Sequence, residues 1–495
     1  MKNNRFRCHP SLIIENLGTL IVGIIAILVF NANDFVELFQ EAGNAVDLKD
    51  TIIGVGILTL LCVVFTGYQV IIYLKTWISI ENDTLLIERL TLRTIRRNFS
   101  IKNISNINLE QNVFERIIGT CKVKIDTNSQ STANETDIKI VLKLSDAKEF
   151  RNYILEQLDG ESKNQRKQFE GAVESFDVAY APGHIAMHCL YSMSLTVAAI
   201  LIITLAGGTV WLGYVIEDGL TVKTLAPLLG GIITVLWFIG TCLYSLVRDF
   251  FRYYGFRAKR VEDRILLSYG LLRKRQYVLP VDKINSVKVK ARLISRLCRR
   301  QSVEVICIGV GDEKSENSLL MLSERKDDIL GRLALLLPEY IIEEPEIEMR
   351  RPCSLFSEIY PLIFMIVVEA IIVATTILYI IPELNLPAIA SSLVAAAAAV
   401  LIVVYIVAIA LRMKTEGIHV GDSTLVAVTG AFTRVVTWVP YRRIQSLAFH
   451  QGPFARHFGY AGGEISILAA SASSTHSLPP LDEKLYRRIQ EKIRE

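Results

Sequence analysis

Six stretches of the chain, 12–31, 51–74, 185–216, 224–247, 357–381 and 388–411, each run for twenty residues or more without a lysine or arginine. A hydrocarbon core about 30 Å thick is crossed by about 20 helical residues rising about 1.5 Å each, so these stretches have the length and composition of transmembrane helices. Lipid offers the backbone no hydrogen-bond partner, which makes helix the expected form. Hydrophobic residues are 51% of the chain, and the excess is concentrated in these runs. The third stretch is longer than a span requires, so its first turns are expected at the interface. Lys2, Arg5 and Arg7 precede the first stretch as in a signal peptide. No small-residue cleavage pattern follows, so it reads as an uncleaved span.

The stretches pair through the connections 32–50, 217–223 and 382–387, which hold only Lys49 and Lys223 of the 54 basic residues. The first connection is also acidic, with Asp34, Glu37, Glu41, Asp47 and Asp50. Basic residues collect on the cytoplasmic side of membrane proteins, so both termini and the long intervening segments are expected in the cytoplasm. The layout is a hairpin at 1–74, a domain at 75–160, a linker at 161–184, a hairpin at 185–247, a domain at 248–340, a linker at 341–356, a hairpin at 357–411 and a domain at 412–495. The eight cysteines show no C-x-x-C spacing, and none falls in an expected external connection, so free thiols are expected.

The segments after the three pairs repeat one another at offsets of 180 and 340 positions. Leu85, Ile265 and Leu425 coincide, as do Ile107, Val287 and Leu447, and Arg116, Arg296 and Arg456 are identical. A fixed period means one structural unit per copy. Within a copy the pattern is mostly strand. Residues 424–430 and 433–439 alternate around Gly430, and Asn82-Asp83, Glu262-Asp263 and Asp422-Ser423 mark an earlier turn. Each copy ends in an amphipathic helix, with Ser145, Ser323 and Asp482 as expected N-terminal caps.

The repeat resembles the bacterial pleckstrin-homology (PH) domains flanked by membrane helices. The resemblance rests on a strand ending in glycine (Ser268-Tyr269-Gly270 and Val428-Thr429-Gly430). It rests also on Leu279-Pro280-x-x-Lys283-Ile284-Asn285-Ser286-Val287 with its echo from Val439-Pro440 to Leu447, and on Gln451, Arg456 and Gly459. The first copy has Gln111, Arg116 and Gly119 but Ser100 for the proline, and the second has Ala291 and Arg299 for the glutamine and glycine. His9-Pro10-Ser11-Leu12, Ala181-Pro182-Gly183-His184 and Pro352-Cys353-Ser354-Leu355 open the three pairs. The resemblance implies a multi-pass α-helical membrane protein of the bacterial cell membrane. Its six helices would form three hairpins, with three cytoplasmic PH-like small β-barrel or sandwich domains, each capped by a C-terminal helix. It also implies a non-enzymatic role and a smaller membrane partner with a single PH-like domain.

Three features are candidates for function. The region 248–303 carries 16 Lys/Arg against four Asp/Glu. Arg273, Lys274, Arg275, Lys288, Lys290, Arg292, Arg299 and Arg300 are its candidate contacts to anionic lipid headgroups or an acidic protein. The same charges also serve topology and solvation, and no aromatic interleaving suggests nucleic acid. Glu369 lies well inside the fifth span, where an ionisable group is costly unless paired or neutral, and Thr375 and Thr376 are candidate partners. Arg116, Arg296 and Arg456 recur at one structural position, which fits bracing a turn through a carbonyl or carboxylate. His184 and His188 have helical i, i+4 spacing, but the zincin glutamate is missing, and no metal site or cofactor is expected.

No phosphate-binding loop, dinucleotide fingerprint or hydrolase motif occurs. The expected function is therefore a membrane scaffold whose domains bind proteins or lipid headgroups, with envelope maintenance as its setting. The alternatives are a transporter or transport accessory using Glu369 and, last, a lipid enzyme.

Overall fold

The computed structural model describes residues 5–15, 17–18, 45–81, 83–91, 94–127, 138–159, 176–193, 222–307, 318–340, 347–350, 352–380, 389–467 and 475–494. They divide into two units. One comprises residues 1–132, 136–171 and 272–277, and the other 133–135, 172–271 and 278–495.

In the first unit a long helix, α1 (Ala45–Lys75), runs straight into β1 (Thr76–Glu81), β2 (Thr84–Leu90) and β3 (Thr94–Ser100), an antiparallel sheet in that order. Asp83 takes the left-handed turn between β1 and β2 at φ 59°, a conformation that Asp and Asn tolerate. A second antiparallel set follows: β4 (Ile104–Gln111), the short helix α2 (Val113–Ile118), β5 (Thr120–Thr127) and β6 (Ile138–Lys143). The C-terminal helix α3 (Leu144–Asp159) closes the domain. One core joins the three layers, with Ile78, Ile80 and Leu85 from the first sheet, Ile107, Val123 and Ile140 from the second, and Phe150 and Ile154 from α3. Each such side chain contributes about 1.5–3 kcal/mol by leaving water. Ser145 does not cap α3, because the helix begins one residue earlier and its Oγ bonds the Asp146 carboxylate instead. Ser100 replaces the proline of the other copies yet holds φ −62°, the value a proline ring imposes.

The second unit contains two more domains of this kind. Before the first of them come the two-residue strand β7 (Val178–Ala179), α4 (Pro182–Tyr191) and the long α5 (Val222–Tyr253). Its strands are β8 (Arg257–Val261), β9 (Arg264–Tyr269), β10 (Lys274–Pro280, of which residues up to 277 belong to the first unit), β11 (Ile284–Ala291), β12 (Arg300–Cys307) and β13 (Ser318–Arg325). Its helices are α6 (Leu293–Leu297) and α7 (Lys326–Leu336). Arg325 occupies the N-cap of α7 and Ser323 lies within β13, so the cap expected at Ser323 is absent.

The last domain is preceded by β14 (Glu348–Met349), α8 (Phe356–Thr375) and α9 (Ile389–Thr415). It comprises β15 (Gly417–Val420), β16 (Thr424–Thr429), β17 (Arg434–Pro440), β18 (Ile444–His450), α10 (Pro453–Phe458), β19 (Tyr460–Ile467), β20 (Thr475–Asp482) and α11 (Glu483–Arg494). Asp482 does cap, accepting the Lys484 N–H at 3.0 Å.

A short strand or bridge from the segment preceding each domain clips onto the outer edge of the first sheet of that domain, at one register position in all three copies. Phe6 bridges Ile78, Val178 pairs with Ala258, and Glu348 pairs with Ile418. Covering this edge satisfies its backbone groups and removes an aggregation-prone rim.

Two helices among the described residues are long and apolar enough to cross a membrane, Pro352–Tyr379 and Val394–Thr415. The expected second and fourth spans fall on α1 and α5. The first expected span beyond residue 18 and the third beyond residue 193 lie outside the described residues. The opening turns of the third stretch form α4, which buries Ile185, His188, Cys189 and Tyr191 and packs on β13.

Candidate anion-binding site

In the second unit, the C-terminal turns of α5 meet α4 and the sheet β11–β12–β13 around a cavity of about 300 Å³. Arg248, Asp249 and Arg252 come from α5, Lys290 and Arg292 from β11 and the turn after it, Glu304 from β12, and Ser323 from β13. Helix α5 ends in cations directly after its last apolar turn, and strand alternation turns Lys288 and Lys290 to one face of β11. Arg248 lies 3.3 Å from Asp249, and Lys290 lies 3.0 Å from Glu304. Formal charge at the lining is four cations against two carboxylates, leaving a cationic excess beside an apolar helix.

His188 forms part of the wall and is neutral. The Ser323 backbone N–H donates to its Nδ1 at 3.0 Å, and the Ser323 hydroxyl lies 2.8 Å from the same atom. Burial, with Arg292 nearby, pushes its pKa down to about 4. This role explains Ser323, which its position just ahead of a helix marks as a cap. Arg300 lies over the Tyr191 ring, 3.3 Å from His184 Nε2, and donates to the Ser323 carbonyl at 3.2 Å. The two histidines thus fasten α4 to β13, and no metal-binding group of His, Cys, Asp or Glu occurs among the described residues.

The predicted basic residues divide between the two units. In the first unit, Arg273 and Arg275 flank Glu110 of β4 at 3.0 and 3.9 Å, and Lys274 pairs in register with Gln111. Burial would raise the Glu110 carboxyl, but Lys124, Arg273 and Arg275 outweigh it and hold the group below its usual value. Of the others, Lys290 and Arg292 line the cavity. Lys288, half-buried beside Glu304, is pushed down to about 8 by burial. Arg299 sits at φ 53°, where the other copies have Gly119 at φ 79° and Gly459 at φ 70°. The domain retains the left-handed turn despite the missing glycine, at a strain of order 1–3 kcal/mol. The missing glutamine is also replaced. Gln111 and Gln451 donate to the carbonyls of Thr120 and Tyr460, and in the middle copy the Ser295 hydroxyl donates to the equivalent Arg300 carbonyl at 2.5 Å.

Of the recurring arginines, Arg296 donates to the Ala431 carbonyl at 2.9 Å. Arg456 is exposed. Both carboxyl oxygens of Glu369 are buried with no hydrogen-bond partner among the described residues. Thr375 and Thr376 do not partner it, because their hydroxyls bond the Ile371 and Ile372 carbonyls of their own helix.

Repeated helix-capped domains of two small antiparallel sheets, carried on long apolar helices, define a tandem membrane-attached β-domain protein. The sequence matches the bacterial PH domain family at residues 24–158, 194–327 and 365–495, and the chain belongs to that family. It is 23% identical over 362 residues to "UPF0699 transmembrane protein YdbT" of Bacillus subtilis (strain 168), covering 68% of each chain. No solved structure matches it. The protein is thus a transmembrane protein with three bacterial PH domains.

Proposed function

We propose that the chain is a membrane scaffold with six helices in three hairpins and cytoplasmic domains, and that its middle domain holds the phosphate of an anionic lipid headgroup. The observation that carries this reading is the cavity lined by Arg248, Arg252, Lys290 and Arg292 at the end of α5. A phosphate there meets guanidinium donors on one side and the end of an apolar helix on the other, which is the environment at the edge of a leaflet. Basic groups near anionic lipid gain about 1 kcal/mol each, so Arg252→Gln and Arg292→Gln are each expected to weaken retention about fivefold. Native mass spectrometry of the full chain from nanodiscs, comparing phosphatidylglycerol with phosphatidylcholine, checks this. Equal retention of both lipids, or no loss in the double variant, refutes headgroup binding.

Glu369 favours a second reading, transport. A carboxyl inside a span with both oxygens unpartnered among the described residues is the group a proton- or cation-coupled transporter would use. Transport predicts that Glu369→Gln abolishes a substrate flux in proteoliposomes. A scaffold predicts unchanged flux and, through a neutral isostere, unchanged assembly.

A further inference from the structure

One strand pairing recurs within each unit. In the second unit β17 of the last domain pairs antiparallel with β11 of the middle one, Ala291 opposite Arg434 and Val287 opposite Trp438, within a single sheet of order β13-β12-β11-β17-β16-β15-β14. In the first unit Lys274–Gln276 pair with β4, Lys274 opposite Gln111. The repeat offsets make these the same register. In both, the residue equivalent to Thr94 faces the residue equivalent to Gln111. The joint in the second unit has a brace, since Arg296 reaches over it to the Ala431 carbonyl after the hairpin glycine.

Among the described residues, two edges of this kind are left open at opposite ends of the repeat. β18 is the counterpart of β4 and β11 and forms the edge of the sheet β18-β19-β20. Ile107 and Leu109 of β4 and Val287 and Val289 of β11 are buried, whereas Ala448, Phe449 and His450 of β18 are exposed. β3 is the counterpart of β10 and β17 and forms the edge of the sheet β1-β2-β3, with Arg96, Arg97 and Asn98 exposed. β18 carries no Lys, Arg, Asp or Glu, and an exposed edge strand without charge is a template for pairing. We propose that β18 of one chain receives β3 of a second copy of this chain, continuing the internal ladder between molecules.

The register carried over from the internal joints sets Thr94 opposite Gln451, Arg96 opposite Phe449 and Arg97 opposite Ala448. Ala448 is in turn opposite Glu464 on β19. Glu464 is exposed, so Arg97 of the arriving strand has a carboxylate on the same face, one strand beyond the small Ala448. Arg456 stands where Arg296 stands, and in the continued ladder it faces the carbonyl of Thr91, the counterpart of Ala431. The exposed arginine of the last copy then becomes the brace of the intermolecular joint. The contact is heterologous, so it closes into a ring or extends as a row according to the rotation between copies.

Two differently tagged full-length chains, one carrying Phe449→Cys and the other Arg96→Cys, are co-expressed in one membrane and oxidised. A disulfide-linked species bearing both tags is expected, above the background of the unsubstituted chain with its eight native cysteines. Moving one cysteine two residues, Thr94→Cys with Phe449→Cys, should lower the yield several-fold. Arg456→Ala should do the same, and Arg456→Lys should recover part of it. Absence of the mixed species while both variants extract and elute as the parent does overturns the proposal. So does cross-linking of the Phe449→Cys chain to a different polypeptide instead, or a yield indifferent to both the two-residue shift and Arg456.

Discussion

Replacing Arg350 by alanine is expected to open the last domain, with loss of about 3–5 kcal/mol of its local stability. The guanidinium is buried and every edge of it is used. It donates to Ser354 Oγ at 2.9 Å, Glu416 at 2.7 Å, Ser357 Oγ at 2.9 Å and Glu358 at 2.9 Å. These partners lie on the segment opening α8 and at the junction of α9 with β15. Glu416 also accepts the Gly430 N–H at 3.2 Å, so the network extends to the β16–β17 turn. Truncation would leave Glu416 charged and desolvated without its cation, which is the costly way to break a buried pair. Glu358 suffers less because Arg412 remains 3.2 Å away. Hydrogen exchange on the full chain in nanodiscs should show amides of β15 and β16 exchanging about a hundredfold faster or more. The double variant Arg350→Met, Glu416→Gln should exchange more slowly than Arg350→Met alone, since it leaves no unpaired charge on Glu416. If the double variant is the worse of the two, the network does not work as described.

Phe150→Ala is expected to cost the first domain about 3–5 kcal/mol, the range for deleting a buried aromatic. Phe150 is fully buried on α3 and meets the Phe6 ring edge-on, centroids 6.0 Å apart. Phe6 is itself held by reciprocal backbone bonds to Ile78 at 2.9 Å. One side chain therefore fastens the C-terminal helix, both sheets and the clip ahead of the first helix. Limited proteolysis should cut the first domain while the last one stays resistant. Phe150→Leu, which keeps most of the volume, should lose less than half as much. Equal loss in the leucine and alanine variants would mean that the site does not depend on packing.

Much of the fold was legible because it depends on period and composition. Strand alternation, the Gly430 turn, the gapless offsets and the long apolar runs are local signals, and the domain cores follow from them. The basic cluster was harder to read. Adjacent residues on a strand point to opposite faces, so the run Arg273-Lys274-Arg275 could not be one patch, and two of its members turn toward Glu110. Arg248 and Arg252, which line the cavity, looked in the sequence like topological charge at the end of a span. The i, i+4 spacing of His184 and His188 correctly placed both on one helix face, but that face packs against Ser323, 135 residues away from His188. Ser323 looked like a cap because it precedes a helix, and a hydrogen bond to a distant histidine leaves no local signature.

What the chain's order of residues determined alone was three copies of one helix-closed β-unit and the apolar helices that carry them. Period-2 and long-run hydrophobicity act within one element and require no knowledge of neighbours. Only the tertiary structure decided that the middle and last copies share a sheet. A strand edge is made of backbone groups common to every residue, so nothing in β4, β11 or β18 names its partner. The pairing becomes visible only when burial separates the strands whose edges are covered from the one that is exposed.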